Sequence, residues 1–229
     1  MNVLGLDLSL TFPGFAFGNR AVDMASIDYA KTNIDGDHRL NHTRDIIRHI
    51  VKSVQIDLAV IEGPAFSANG MFQMGMVHAS ARILLNDFRI PYTTVYPTAL
   101  KLFATGHGTA DKEQMIAAVT AAIGVVPADD NQADAWWLRA MGLAALGDWP
   151  VAMTDARRDT LAKVEWPPPV KPWGDLTPDK SGEPKLCGHK MVVMRNAGRW
   201  LHAFGDMTVC EKPKTTRRKT TAKGGEPDA

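Results

Sequence analysis

Val3-Leu4-Gly5-Leu6-Asp7 opens the chain, and Leu58-Ala59-Val60-Ile61-Glu62 repeats its pattern: a short apolar run that stops on a carboxylate. Runs of four apolar residues bounded by polar ones are the length of buried strands. Working outward from the first run, Phe15–Phe17 and roughly Asp23–Tyr29 read as two further strands. Gly18-Asn19 between them is a hairpin-turn signal. Asp37–Ser53 places Leu40, Ile46, Ile47, Ile50, Val51 and Val54 at helical spacing. After the second run come a Met-, Ala- and Leu-rich helix over Gly70–Phe88, a strand over Tyr92–Tyr96 and a short helix started by Pro97. Helices over Asp111–Ile123 and Asn131–Leu146 follow. Three hairpin strands, a helix, a strand, a helix and a strand predict an α/β fold with a mixed five-stranded sheet flanked by helices.

That order decides where the acids meet. If the first and fourth strands are parallel neighbours, Asp7 and Glu62 stand side by side at their C-terminal ends, the edge where open α/β sheets place their sites. On the last of these helices, residues three and four apart share a face, so Asp134 and either Asp130 or Asn131 point at one spot. Asp129-Asp130 also makes a good capping pair, so Asp130 has a structural reading as well. Carboxylates packed together repel unless cations neutralise them. Hard oxygen ligands select Mg²⁺ or Mn²⁺, and two such ions about 4 Å apart can serve phosphodiester hydrolysis. Gly106-His107-Gly108 lets backbone approach a phosphate, with Lys112 following at a helix start, which reads as a phosphate cradle.

The chain has 229 residues and a formal net charge of +1, so whole-chain charge gives no case for nucleic-acid binding. Met1–Leu10 lacks a secretory pattern, and no apolar run approaches the length that crosses a bilayer, which predicts no membrane partner and a cytoplasmic setting. The two cysteines, Cys187 and Cys210, suit reduced thiols. Half of the 14 prolines fall between Pro150 and Pro184. The expected organisation is a catalytic unit over 1–149, a Pro-rich linker or arm over 150–186 with a helix possible over Met153–Lys163, a small β-hairpin extension over 187–211 and a disordered basic tail over 212–229. Cys187, His189, His202 and Cys210 match no strong zinc spacing.

With these residues in place, the chain resembles the RuvC-type Holliday-junction resolvases, especially phage-encoded ones. Val3–Thr11 through Gly14 resembles their opening motif and Asp57–Glu62 their second. Thr105–Met115 is similar to their Gly-rich, lysine-bearing third motif, and Asp129–Ala135 to their fourth. The match covers about Met1–Gly147. It implies an RNase H-like fold and a crossover junction endodeoxyribonuclease that cuts four-way or other branched DNA with two Mg²⁺ ions (Mn²⁺ substituting). It implies a homodimer in a bacterium or phage-infected host, paired through the helix carrying Met71, Met74 and Met76. Residue by residue, Asp7, Glu62 and Asp134 match metal-binding carboxylates, Lys112 a lysine at the scissile region, and Phe66 an aromatic that stacks on bases. Gly106, His107 and Gly108 accompany Lys112 as DNA contacts. One position departs: where the cellular enzymes carry an acidic or histidine ligand three residues before the last Asp, this chain has Asn131, with Asp130 one step earlier. Either reaches the site, and the reading favours Asp130. Two other functions fit the first motif less well: an actin-like nucleotide-binding kinase or ATPase, and a non-catalytic junction-binding module.

Overall fold

The computed structural model describes residues 1–18, 20, 22–64, 71–167, 193–196 and 199–202. Its strands are β1 (Val3–Asp7), β2 (Gly14–Ala16), β3 (Met24–Ser26), β4 (Leu58–Glu62) and β5 (Tyr92–Val95), in one sheet of order β3-β2-β1-β4-β5. β1 runs parallel to β4, with Leu6 opposite Ile61, so the condition on which Asp7 and Glu62 meet is fulfilled and they end neighbouring strands. β2 is antiparallel to β1 and pairs Gly14 with Asp7. β5 closes the other edge, parallel to β4, with Val95 opposite Glu62.

Alternation sorts the two faces. Leu4, Leu6, Ala59 and Ile61 pack with Ile47 and Ile50 of α1 (His38–Ser53) and Val77, Leu84 and Leu85 of α2 (Met71–Asp87). Val3, Leu58 and Val60 pack on the opposite side, where Phe103 of α3 (Pro97–Thr105), Met115 and Val119 of α4 (Lys112–Ile123) and Trp136 and Trp137 of α5 (Asp130–Ala145) sit. Asp7 and Glu62 continue the second set of positions, 3-5-7 and 58-60-62, and so belong to the α5 face.

α5 lies directly on the sheet because glycines make room for it. A Cβ at Gly5 would fall onto the Ala135 carbonyl oxygen, and one at Gly14 onto that of Asn131. A Cβ at Gly142 would lie 2.6 Å from Val3 Cγ1 and 2.7 Å from Val60 Cγ2. At Gly5 and Gly14 no strand side chain separates the sheet from the helix backbone, and the start of α5 is pressed onto the sheet edge that carries the acids.

Two expectations change. The third strand stops at Ser26 instead of Tyr29, because Asp28 caps a 3₁₀ turn over Tyr29–Lys31 by accepting from the Ala30 amide. Tyr29 is buried against α1, its hydroxyl 2.7 Å from Thr43 Oγ1. The first compact unit also runs past 149, to Val170. Val151, Met153, Leu161, Val164 and Trp166 pack against the core, around α6 (Asp155–Ala162). Arg157 of α6 donates to the carbonyls of Phe103 (2.9 Å), Ala104 (3.1 Å) and Ala152 (2.7 Å) and lies over the Trp137 ring. Proline density suggested a linker, but the apolar residues between the prolines cover α3 and β5. The second unit spans Lys171–Ala229 and contains an antiparallel pair, β6 (Val193–Asn196) and β7 (Arg199–His202), within the hairpin expected over 187–211. Cys187, His189, Cys210 and the basic tail lie outside the described residues. Among the described residues no helix is long and apolar enough to cross a membrane.

Candidate metal centre

Asp7, Glu62 and Asp134 each offer a carboxylate oxygen, and these oxygens all lie within 4.8 Å of one another. Two come from the parallel pair β1/β4. The third comes from the start of the second turn of α5, whose N-cap Asp129 accepts from the Gln132 amide. That cap corrects the structural reading of Asp130, which is the first helical residue and is not needed as a cap. A cavity of about 310 Å³ contains all three acids together with Asp130, Lys101 and Lys112.

The electrostatics are those of a site built for positive charge. Asp7 is only 7% exposed. Burial pushes its carboxyl well above the usual carboxylate range, and the charges of Glu62, Asp134 and Asp130 push it further. A hydrogen bond between the Asp7 and Glu62 carboxyls raises Asp7 and lowers Glu62. Burial also raises Glu62, against the hydrogen bond from Asp7 and the Lys101 charge, which lower it. Asp134 is pushed up to about 7, first by burial, then by Glu62 and Asp130. Its Oδ1 is buried without a hydrogen-bond partner in the protein. A buried, unpartnered carboxylate oxygen facing two more acids fits a divalent cation and fits little else.

The acid raised above its ordinary value sets a sign for stability. The folded chain binds the Asp134 proton more tightly than the unfolded chain does. That contribution is complete below about pH 4 and is lost as pH rises toward 7. The melting temperature of the metal-stripped protein should therefore fall between pH 5 and pH 8, and Mg²⁺ or Mn²⁺ added at pH 8 should restore it. Scanning fluorimetry with and without chelator reads both; a flat profile in chelator would contradict the crowding of charge described above.

Asp130 and Asn131, four and three positions before Asp134, play different parts. The Asp130 carboxylate forms an ion pair of 2.6 Å with Lys112 Nζ. Asn131, with its amide nitrogen turned inward, donates to Asp7 Oδ2 (3.1 Å) and to the Phe12 carbonyl (3.2 Å). Asn131 therefore touches Asp7, while Asp130 lines the cavity beside the triad and holds Lys112 there. The ion pair raises Lys112 further, keeping it charged.

The third motif assembles only in part. Gly106 ends α3 with φ +84, a left-handed conformation that glycine adopts freely, and His107 is exposed. Neither they nor Gly108 line the carboxylate cavity. Asp111 forms a capping box with Gln114, which engages the Gln114 amide, and Lys112 is the motif's one cation lining the cavity, beside Asp111. Phe66 lies outside the described residues. Lys101 was not singled out from the sequence, yet it faces the acids from α3 and lowers both Glu62 and Asp134. Its signal was its place one turn after Pro97, away from buried Leu100, Phe103 and Ala104.

This sheet order, with acids at the ends of β1 and β4 and a third on the helix across them, defines an RNase H-like nuclease fold. No protein-family model matches the chain. It is 31% identical over 123 residues to the crossover junction endodeoxyribonuclease RuvC of Bacteroides fragilis, a match covering 49% of this chain and 64% of that one. It is 31% identical over 145 residues to the RuvC of Nocardia farcinica, covering 59% of this chain and 77% of that protein. The structure of Thermus thermophilus RuvC in complex with Holliday junction substrate superposes with a TM-score of 0.54 at 17% identity, over 65% of this chain and 97% of that one. The chain belongs to the RuvC family of crossover junction endodeoxyribonucleases.

Proposed function

We propose that this chain is a structure-selective endonuclease that hydrolyses phosphodiesters in Holliday junctions or other branched DNA, using two Mg²⁺ ions. The observation that carries the reading is the convergence of Asp7, Glu62 and Asp134 within 4.8 Å in a buried pocket. These three residues would hold the metal, with Asn131 fixing the Asp7 carboxylate by its amide hydrogen bond. When bound, divalent ions acidify a water and neutralise charge on the phosphate and leaving oxygen. Around them Lys112 supplies a cation at the scissile phosphate, and Asp130 holds its ammonium in place until DNA arrives. Phe66 stacks on bases at the crossover, and Gly106, His107 and Gly108 meet the phosphate backbone. A module that only bound junctions would gain nothing from buried acids, which repel phosphate in the absence of metal.

The protein acts as a homodimer, which suits a two-fold junction in which two equivalent strands are cut. The expected methionine stripe is only partly the surface that supports this. Met71 is exposed, but Met74 lines the carboxylate cavity and Met76 is half-buried. The outward face of α2 presents Phe72 (75% exposed), Gly75, Ala79 and Ile83 (60% exposed), spaced as one apolar stripe. Sedimentation should show a dimer that Phe72→Glu with Ile83→Glu converts to monomer.

The direct test is a synthetic four-way junction incubated with the protein and Mg²⁺. Paired, symmetric nicks with 5′-phosphate ends that ligase reseals are expected. Absence of cutting, or equal cutting of linear duplex, would remove the assignment.

A further inference from the structure

β5 is an edge strand, and its free side is not bare. The segment after α6 is pinned to it where Thr93 Oγ1 donates to the Glu165 carbonyl at 2.6 Å, and the Trp166 indole N–H ties the segment back to α6 by donating to the Leu161 carbonyl at 3.0 Å. Between strand and segment lies a cavity of about 530 Å³ walled by Tyr92, Thr94, Tyr96, Lys163 and Trp166. That volume is in the range of ligand-binding clefts. Arg82 backs it, with its guanidinium carbon 5.7 Å from the Tyr92 ring centre and a 3.1 Å hydrogen bond to Thr94 Oγ1.

The cleft adjoins the acids. Tyr96, 56% exposed, follows the residue paired with Glu62. The Gly63 amide donates to the Val95 carbonyl at 2.7 Å, and a Cβ on Gly63 would lie 3.2 Å from Tyr96 Cδ1. Pro97, the next residue, lines the carboxylate cavity. A strand leaving the acids across the end of β5 therefore meets an exposed aromatic ring first and an aromatic-walled cleft behind it.

We propose that this cleft binds the bases of an unpaired DNA strand as it leaves the metal centre, a reading that rests on the nuclease function above. Three aromatic side chains with a lysine beside them are the makings of a sequence-tolerant stacking platform. Glu165 is also exposed on the wall, so its charge offsets Lys163 and stacking carries the affinity. The consequence is a preference for branched DNA in which one arm is single-stranded near the branch.

The test uses the full chain in EDTA, so that no strand is cut, and fluorescence anisotropy on three probes: a fully paired four-way junction, a fork with a single-stranded thymidine arm, and a linear duplex. Tyr96→Ala should lower the fork-to-junction affinity ratio about tenfold, and Tyr96→Phe should keep it near wild type, since the ring and not the hydroxyl stacks. An unchanged ratio in Tyr96→Ala overturns the cleft. Wild type with 5-iodouracil in the arm should photocrosslink to the peptides carrying Tyr92, Tyr96 or Trp166, which does not depend on any variant folding. Adducts only elsewhere, as expected if this chain's own continuation past Pro167 fills the cleft, also overturn it. If wild type prefers a branched probe to duplex and Tyr96 is silent, only the cleft fails; the junction reading itself stands or falls on the cleavage assay with Mg²⁺.

Discussion

Asp7→Asn should abolish cleavage of a four-way junction, by about a thousandfold or more, while leaving the metal-free protein more stable than wild type. The rate loss corresponds to roughly 4 kcal/mol of transition-state stabilisation. Asp7 occupies the middle of the site, buried, bonded to Glu62 and touched by Asn131. An amide keeps the shape but removes the charge that would bind metal. Without metal the same charge is a liability, because burial and three neighbouring acids oppose it. Removing it should raise the melting temperature in chelator by a few degrees, on the order of 1 kcal/mol. The pair of signs separates a metal ligand from a packing residue. An inactive variant that is also less stable in chelator would mean that Asp7 holds the fold, and the metal assignment would lose its main support. Gel-resolved cleavage and melting scans in EDTA give the two readouts.

Gly5→Ala should destabilise the protein by about 3 kcal/mol and remove cleavage as well, although residue 5 carries no chemistry. Its Cβ would collide with the Ala135 carbonyl oxygen and come within 2.7 Å of the Arg139 amide nitrogen. Both are backbone atoms of α5, so no side chain can swing aside and the helix itself must lift. Asp134 precedes Ala135, so the lift pulls the third acid away from Asp7 and Glu62. Urea denaturation should show the loss of stability, and cleavage should fall even where the variant remains folded. Gly108→Ala is the contrast: its Cβ would rest 3.4 Å from the Thr98 carbonyl oxygen, an ordinary contact, and folding stability should hardly change.

The two lysines and the Asn131 amide give the site an asymmetry that the acids alone lack. Lys101 reaches from α3 and acts on Glu62 and Asp134, whereas Lys112 is held by Asp130 at the start of α4 and α5. Asp7 receives its hydrogen bond from Asn131 instead of from a cation. The most deeply buried acid is thus the one least neutralised by protein, and bound metal has most to offer there.

Strand alternation is a local property, and it carried the larger part of the fold. Two apolar runs ending on Asp7 and Glu62 place both acids on one edge once their strands are parallel neighbours, as they are, and helical spacing pointed at Asp134. How Asp130 and Asn131 divide their parts was not local. Spacing of three or four residues satisfies both, and the rotation of α5 about its axis sends Asp130 to Lys112 in the cavity and Asn131 to Asp7. That rotation is fixed by Asp129 capping the helix and by Gly5 and Gly14 receiving its backbone. Lys101 and the wall formed by Lys163–Trp166 came from segments distant in sequence, one of them dense in proline and read as a linker. Their positions follow from apolar side chains finding uncovered core, a contact between surfaces that no periodicity along the chain encodes.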